Sequence, residues 1–329
     1  MTNDLEVVEL KGNMYAGIAD VHIKLSRFKD FEINRLNKLK ETLIERGYKN
    51  LFIVGDFYDS SYPSLEEIKI GIEFLKSFDD VILISGNHED YNKTTTLYDY
   101  IHLPSNVRVV KYAKLDLKSS YDVFLIDHLN LSLIKEIEVT KPSYLFSHYR
   151  SDIGFAPSEV DNELVSDKFI HTVLGDIHYR LFPAGNIEYI SSPYNISFSE
   201  KAENGFMEIK FNKTGLKLKW IPLNLPNLIK LKLNTEQFDN LDSYISSDNL
   251  YSIELYKEPN LKDRKKVARY DNIKQLKFLK EHKIVKNVQN IEIKESIDNT
   301  SVKNTIIKAY SESNKEALVD IANKILDSI

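Results

Sequence analysis

Seven side chains in this sequence have the types and the placement to hold divalent ions: Asp20, His22, Asp56, Asn87, His148, Asp176 and His178. They lie in five short polar motifs. These are Asp20-Val21-His22, Gly55-Asp56-Phe57-Tyr58-Asp59, Gly86-Asn87-His88-Glu89, the lone His148, and Gly175-Asp176-Ile177-His178. Oxygen and imidazole donors in this mixture suit manganese, iron or zinc. There is no cysteine, which excludes zinc–thiolate sites, disulfides and cysteine nucleophiles. Two neighbouring ions repel and need an anion between them; Asp56, directly after a glycine, can serve without crowding. In Asp-x-His, positions i and i+2 of an extended segment point the same way and reach one ion. Gly55, Gly86 and Gly175 permit tight turns that present the next residue.

Taken singly, each motif has a plainer reading. Asp-x-His recurs by chance, Gly-Asp-x-x-Asp suits a turn with a helix cap, and a lone histidine is commonly a satisfied core residue. What gives them weight is position. Each follows a short apolar run: Met14–Ala19, Leu51–Val54, Val81–Ser85, Tyr144–Ser147 and Thr172–Leu174, with a further run at Val123–Ile126. Between the first runs, Ile33, Leu36, Leu39 and Leu43 repeat at helical spacing up to Gly47. Leu65, Ile68, Ile72 and Leu75 do the same from Ser64 to Phe78. Alternating strands and helices predict an α/β layer with largely parallel strands. In such sheets the functional crevice lies beyond the carboxyl ends of the strands. Five motifs at five strand ends therefore predict a two-metal centre.

Beyond about Asn186 the pattern changes. Tyr189–Ile190, Phe206–Phe211 and Leu216–Trp220 read as antiparallel strands, the last two turning at Asn212–Gly215. A proline-containing linker spans Ile221–Leu228. Residues 228–295 read as a small α+β unit: strand Leu228–Leu233, helix Thr235–Ile245, strand Leu250–Leu255, helix Asn272–His282 and strand Ile284–Glu295. Ser296–Asn304 is polar. Ser313 and Glu316 then form a capping box before a helix whose Leu318, Ile321, Ala322, Ile325 and Leu326 share one face. The expected division is 1–222, 228–295 and 296–329.

The net charge of -5 supplies no general basic surface, so a nucleic-acid partner would need local patches or the ions themselves. A basic cluster, Lys262, Arg264, Lys265, Lys266 and Arg269, provides one such patch, although charge runs are more often solvated faces. Tyr149, Arg150, Tyr179 and Arg180 directly follow metal motifs and are candidates to stack on or clamp a strand. His102, His128, His171 and His282 read as structural or exposed. No apolar run approaches the roughly 18 residues of a membrane span, and no secretory signal opens the chain. A cytoplasmic location, in a host cell if the chain is phage-encoded, is expected.

The ordered motif series resembles that of the calcineurin-like metallophosphoesterases, and it implies their fold: two mixed sheets flanked by helices, followed here by a smaller α+β capping domain. By that resemblance one ion is held by Asp20, His22, Asp56 and His178. The other takes Asp56, Asn87, His148 and Asp176. His88 becomes the proton donor to the leaving oxygen and Asp59 a partner behind the ligands. The implied chemistry is in-line attack of activated water on phosphorus. The family pattern has histidine where this chain has Asp176. The substitution makes the filled site about one charge less positive, which favours harder ions; manganese is the expected metal, with magnesium, iron and zinc as the alternatives.

Within that family, Asn186–Pro193, Phe198-Ser199-Glu200 and Gly205-Phe206 resemble a segment of the SbcD-type DNA double-strand-break repair nucleases. The capping unit resembles that family's DNA-contacting capping domain, and the terminal helix Glu316–Leu326 resembles the C-terminus of its T-even phage members. The resemblance implies a manganese-dependent DNA exonuclease and endonuclease subunit. Its expected partners are DNA, an ABC-type ATPase gripping the C-terminal helix, and a second copy meeting near Leu65 and Ile68. A phosphatase for small or protein phosphoesters, and a catalytically weak DNA-end-binding subunit, are the alternatives.

Overall fold

The computed structural model describes residues 5–26, 28–153 and 157–279. The chain opens with β1 (Glu6–Val8), β2 (Met14–Ile18), α1 (Lys29–Glu45), β3 (Asn50–Val54), α2 (Leu65–Leu75) and β4 (Asp80–Ile84). β5 (Val107–Val110), β6 (Tyr112–Leu115), β7 (Asp122–Ile126), β8 (Ser143–His148), α3 (Asn162–Lys168), β9 (His171–Gly175) and β10 (Ile187–Tyr189) follow. Next come β11 (Gly205–Asn212), β12 (Gly215–Pro222), β13 (Leu228–Leu233), α4 (Thr235–Asp239), β14 (Leu250–Leu255), α5 (Leu261–Val267) and β15 (Ile273–Phe278).

Two six-stranded mixed sheets run β1-β6-β7-β8-β9-β10 and β12-β11-β2-β3-β4-β5. Their strand sequences explain why both faces are covered. β4 (DVILI) and β7 (DVFLI) are buried at every position, as central strands with two packed faces must be. Along β3, Phe52 and Val54 join the cluster containing Ile82, Ile84, Val123, Leu125 and Phe146, while Leu51 and Ile53 join Leu36, Leu39, Leu43, Phe74 and Leu75. Side chains alternate across a strand, so one β-strand serves the layer between the sheets and the layer under α1 and α2. On the far side Ile134, Val165 and Phe169 pack with Phe124, Ile126, Leu145 and Leu174. The expected helix-flanked sandwich is present.

α2 starts as its sequence demands. Ser64 accepts from the Glu67 amide, and the Glu67 carboxylate accepts in return from the Ser64 amide. α1 ends before Gly47, whose φ of +87° suits a helix terminus.

Several expectations need correction. Tyr189 belongs to β10, which pairs parallel with β9 rather than antiparallel. β1, β5 and β6 and helix α3 carry too little periodicity to be read in advance. The 228–279 stretch forms a three-stranded sheet, β13-β14-β15, and both of its pairings are parallel. The helix expected over Asn272–His282 is instead strand β15 where it is described. Ile273 and Leu276 have helical spacing, but pairing with β14 decides their conformation. The first expected helix breaks at Asn240 into α4 and a short turn, Leu241–Ser243. α5, capped by Asn260 and Asp263, lies where only a basic cluster was read. The expected strand Ile284–Glu295 and the terminal helix lie outside the described residues.

Candidate metal centre

β2, β3 and β4 are parallel neighbours in one sheet, and β8 and β9 are parallel neighbours in the other. Each ends at or next to a motif. The motifs meet around Asp56. Its Oδ2 lies 3.5 Å from His22 Nε2, 3.4 Å from His148 Nε2 and 3.9 Å from His88 Nε2. Among the described residues, three sets have ligand atoms all within 4.8 Å of one another: Asp20, His22 and His178; His22, Asp56 and His88; and Asp20, Asp56 and His148. Asn87 Oδ1 sits 3.2 Å from His148 Nε2.

The backbone reaches this arrangement differently from the extended Asp-x-His expected. Asp20, His22 and Asp56 have φ of 53°, 48° and 48°, in the left-handed region. Each such non-glycine residue costs on the order of 1 kcal/mol and persists only when its surroundings enforce it. Here Asp20 N donates to Gly55 O (3.2 Å), His22 N to Asp56 O (2.9 Å) and Ile23 N to Phe57 O (2.9 Å).

The glycines are needed for proximity as much as for turning. A Cβ on Gly86 would lie 2.1 Å from Asp56 Oδ1, and one on Gly175 would lie 2.2 Å from Val54 O. Only Gly55, at φ +80°, also needs the left-handed conformation.

Each imidazole is braced from behind. His22 Nδ1 lies 3.3 Å from Asp59 Oδ1, His178 Nδ1 3.1 Å from Glu200 Oε1, His148 Nδ1 2.9 Å from Val54 O, and His88 Nδ1 2.8 Å from Asp59 O. A braced Nδ1 leaves Nε2 for the centre, the arrangement metal-ligating histidines use.

The charges are mutually dependent. Burial pushes the Asp20 carboxyl up. Burial pushes Asp56 up too, but His148, His22 and His88 outweigh it and hold that carboxyl well below the usual range. Burial would lower His148, yet Asp56 first, then Asp20 and Asp176, raise it well above an ordinary imidazole. This anionic pocket draws positive charge inward, and divalent cations satisfy the same demand. Asp20 Oδ2 and both ring nitrogens of His22 are buried without a hydrogen-bond partner, Nδ1 having only the Asp59 carboxylate nearby, and coordination at Oδ2 and Nε2 would relieve the orphaning there. The residues fit the ions that their types imply.

Asp176 stands apart. Its carboxylate belongs to none of the three sets. Arg150 grips it, with Nε 3.2 Å from Oδ2 and Nη2 3.4 Å from Oδ1. Its amide donates to Asp20 Oδ1 at 3.0 Å, and its φ is 97°.

The candidate strand-contacting residues divide. Tyr149 has no exposed surface and packs in the core beneath β8, so it presents nothing to a strand. Arg180 is paired with Glu188 and stacked over Trp220 at 4.8 Å. Lys266 donates to the carbonyls of Phe238 and Asp239 and is thus occupied within the small sheet unit. Tyr179, Lys262, Arg264, Lys265 and Arg269 lie nearer the solvent, Tyr179 at 43% exposure. Of the remaining histidines, His102 is exposed, His171 faces Glu188, His128 bridges Asp90 and Glu159, and His282 lies outside the described residues.

Two residues of the site escaped sequence reasoning. Glu89 is buried and accepts from the amides of Asp56, Tyr58 and Gly86 and from the Tyr98 hydroxyl, tying two motif loops together. Burial, then the Asp56 charge, pushes its carboxyl up to about 8. The signal was its place beside Asn87 and His88. Glu200, which braces His178, carried no signal outside the family segment.

Residues 15–180, just over half of the chain, match the family model for calcineurin-like phosphoesterases. The chain belongs to that family. This calcineurin-like phosphoesterase is accordingly a metal-dependent hydrolase, of a family built on dinuclear centres. It is 21% identical to the DNA double-strand break repair protein Mre11 of Nanoarchaeum equitans, over 95% of this chain and 96% of that one. Among solved structures, a Danio rerio dimetal phosphatase is 12% identical, covering 64% of this chain and 96% of that one at a TM-score of 0.42. The Pseudomonas putida nuclease MPE is 22% identical, covering 40% and 59% at a TM-score of 0.25. Structural similarities that low add nothing to the family match.

Proposed function

We propose that this phosphoesterase is a DNA nuclease that cuts phosphodiester bonds with two divalent ions, manganese preferred, as the nuclease subunit of a break-repair complex. The observation that carries the metal chemistry is the convergence of Asp20, His22, Asp56, His88, His148 and His178, whose ligand atoms fall into sets within 4.8 Å. DNA as substrate is supported by similarity along nearly the whole chain to an archaeal break-repair protein. The three-stranded unit after residue 228 is the proposed capping domain.

Bound ions would supply an activated water and charge stabilisation at phosphorus. Asp20, His22, Asp56 and His178 would hold the first; Asp56, Asn87 and His148 the second. The chain's own groups do the rest. Asp59 and Glu200 fix the His22 and His178 rings. His88 holds its Nδ1 against the Asp59 carbonyl and turns Nε2 toward the centre, where in its protonated form it can deliver a proton to the leaving oxygen. The His88 side chain is also 40% exposed, against 3% for His22 and none for His148, as a group meeting substrate must be. An ABC-type ATPase and a second copy of this chain are the proposed partners. Leu65, 86% exposed at the start of α2, suits the latter. Among the described residues no helix is long and apolar enough to cross a membrane.

The test is a comparison of linear duplex DNA with a chromogenic phosphate ester, each with Mn2+, using the purified chain and its His88→Ala variant. DNA cleavage that falls about 10²-fold or more in the variant is expected. Hydrolysis of the ester alone would assign the protein to the phosphatases instead.

A further inference from the structure

We propose that Arg150 competes with the second cation for Asp176, so that this position binds more weakly than the first and completes its ligand set only as the guanidinium lets go. The inference rests on the two-ion reading above and adds a rule for how the centre loads.

The two positions are not equally prepared. At the first, Asp20 Oδ2 and His22 Nε2 are buried and unpartnered. At the second, Asp56, Asn87 and His148 gather, but the next carboxylate along the rim is engaged through both oxygens by Arg150. Asp176 directly follows Gly175, whose Cβ, if it had one, would lie 2.5 Å from His148 Nδ1, and its own amide donates to Asp20 Oδ1 at 3.0 Å, so it sits on the rim beside the second position.

The backbone of Arg150 is held in place, while its side chain is free to move. Its amide donates to Glu159 Oε2 at 2.7 Å, and the Glu159 amide donates back to Arg150 O at 2.8 Å. Glu159 Oε1 lies 3.1 Å from His128 Nε2, and His128 Nδ1 lies 2.6 Å from Asp90 Oδ2. Asp90 directly follows the Gly86–Glu89 motif. The arginine backbone is thereby tied to the loop that carries Asn87.

Exposure decides which of the two partners moves. The Arg150 side chain is 40% exposed and can turn into solvent at little cost, whereas the Asp176 side chain is 6% exposed. A buried carboxylate left without a partner is strongly unfavourable. Asp176 therefore keeps one cation or the other, guanidinium or metal.

The experiment is calorimetric titration of the full chain with Mn2+, with far-ultraviolet circular dichroism confirming that each variant is folded. Two classes of site are expected in the natural sequence. Arg150→Gln should tighten the weaker class about fivefold, the scale of a partly exposed ion pair, and leave the tighter class unchanged. Arg150→Lys, which keeps the charge but loses the two-pronged grip, should give a smaller gain. Adding Asp176→Asn to Arg150→Gln should abolish the gain. An unchanged weaker class in Arg150→Gln, or a gain that survives Asp176→Asn, overturns the competition while leaving the metal centre intact. A chain that binds no divalent ion at all overturns the two-ion reading and this inference with it.

Discussion

The rim of the sandwich and the small parallel sheet after residue 228 use their charged residues in opposite ways. At the rim, Asp20, His22, Asp56 and His148 are at most 3% exposed, and each is oriented by a neighbour's carbonyl, amide or carboxylate. In the small sheet, the basic residues around α5 are in solvent, or, like Lys266, spent on helix-end carbonyls. Burying charge is tolerated only where every group has a partner or an ion. Exposed charge is free to move and contributes little until a polyanion arrives. The difference predicts that rim substitutions act on chemistry and small-sheet substitutions at most on affinity.

The comparison is broken most directly at Asp56. Asp56→Asn removes the carboxylate that both proposed positions share. Phosphodiester hydrolysis should fall by about 10³-fold or more, with bound Mn2+ dropping below two per chain by elemental analysis. Full activity in this variant would remove the rim from the chemistry.

Behind the ligands the effect should be smaller. Glu200→Gln keeps the shape but loses the charge that braces His178. Mn2+ affinity at the tighter position should weaken about 10- to 100-fold, read by calorimetry. An unaltered affinity would make Glu200 a bystander.

At the edge of the rim the readout becomes stability. Burial would lower the His128 pKa, but Asp90 and Glu159 outweigh it and raise it from 6.5 to about 9. A raised folded-state pKa stabilises fully below the unfolded value and is lost as pH rises through the folded one. His128→Gln should therefore lose about 2 kcal/mol near pH 6, because solvent screens part of the ion pair, and almost nothing near pH 10. Urea unfolding at the two pH values measures this; an equal loss at both would contradict the ion-pair origin.

The smallest effect is expected in the small sheet. Lys262→Ala with Lys265→Ala should leave hydrolysis of a small phosphodiester unchanged. It should reduce the slope of log affinity against log salt for duplex DNA by about 0.9 for each phosphate that is no longer neutralised. A change in turnover on the small substrate would erase the distinction between the two regions.

How much was legible in advance follows the same line. The six apolar runs before residue 180 became strands within a residue or so of their expected ends, because doubly covered strands must be continuously apolar. The donor types announced where Asp and His side chains cluster at the strand ends, because few other uses gather those groups there. In the small sheet the signal failed. Ile273 and Leu276 satisfy a helical period as well as a strand, and only the ladder to β14 chooses between them. Glu89 was visible as a residue but not as the tie between two loops, since its four donors come from Asp56, Tyr58, Gly86 and Tyr98.

By itself the sequence determined which side chains are available to ions, the order of the motifs and the alternation of strands and helices that brings them to one rim. Those features are local: they depend on residue type and on spacing along the chain. Tertiary structure alone decided that Asp20, His22 and Asp56 adopt left-handed backbone, that Tyr149 faces the core, and that Asp176 is held by an arginine 26 residues away in sequence. Each of these is set by a neighbour brought close by the fold, and spacing along the chain carries no record of such neighbours.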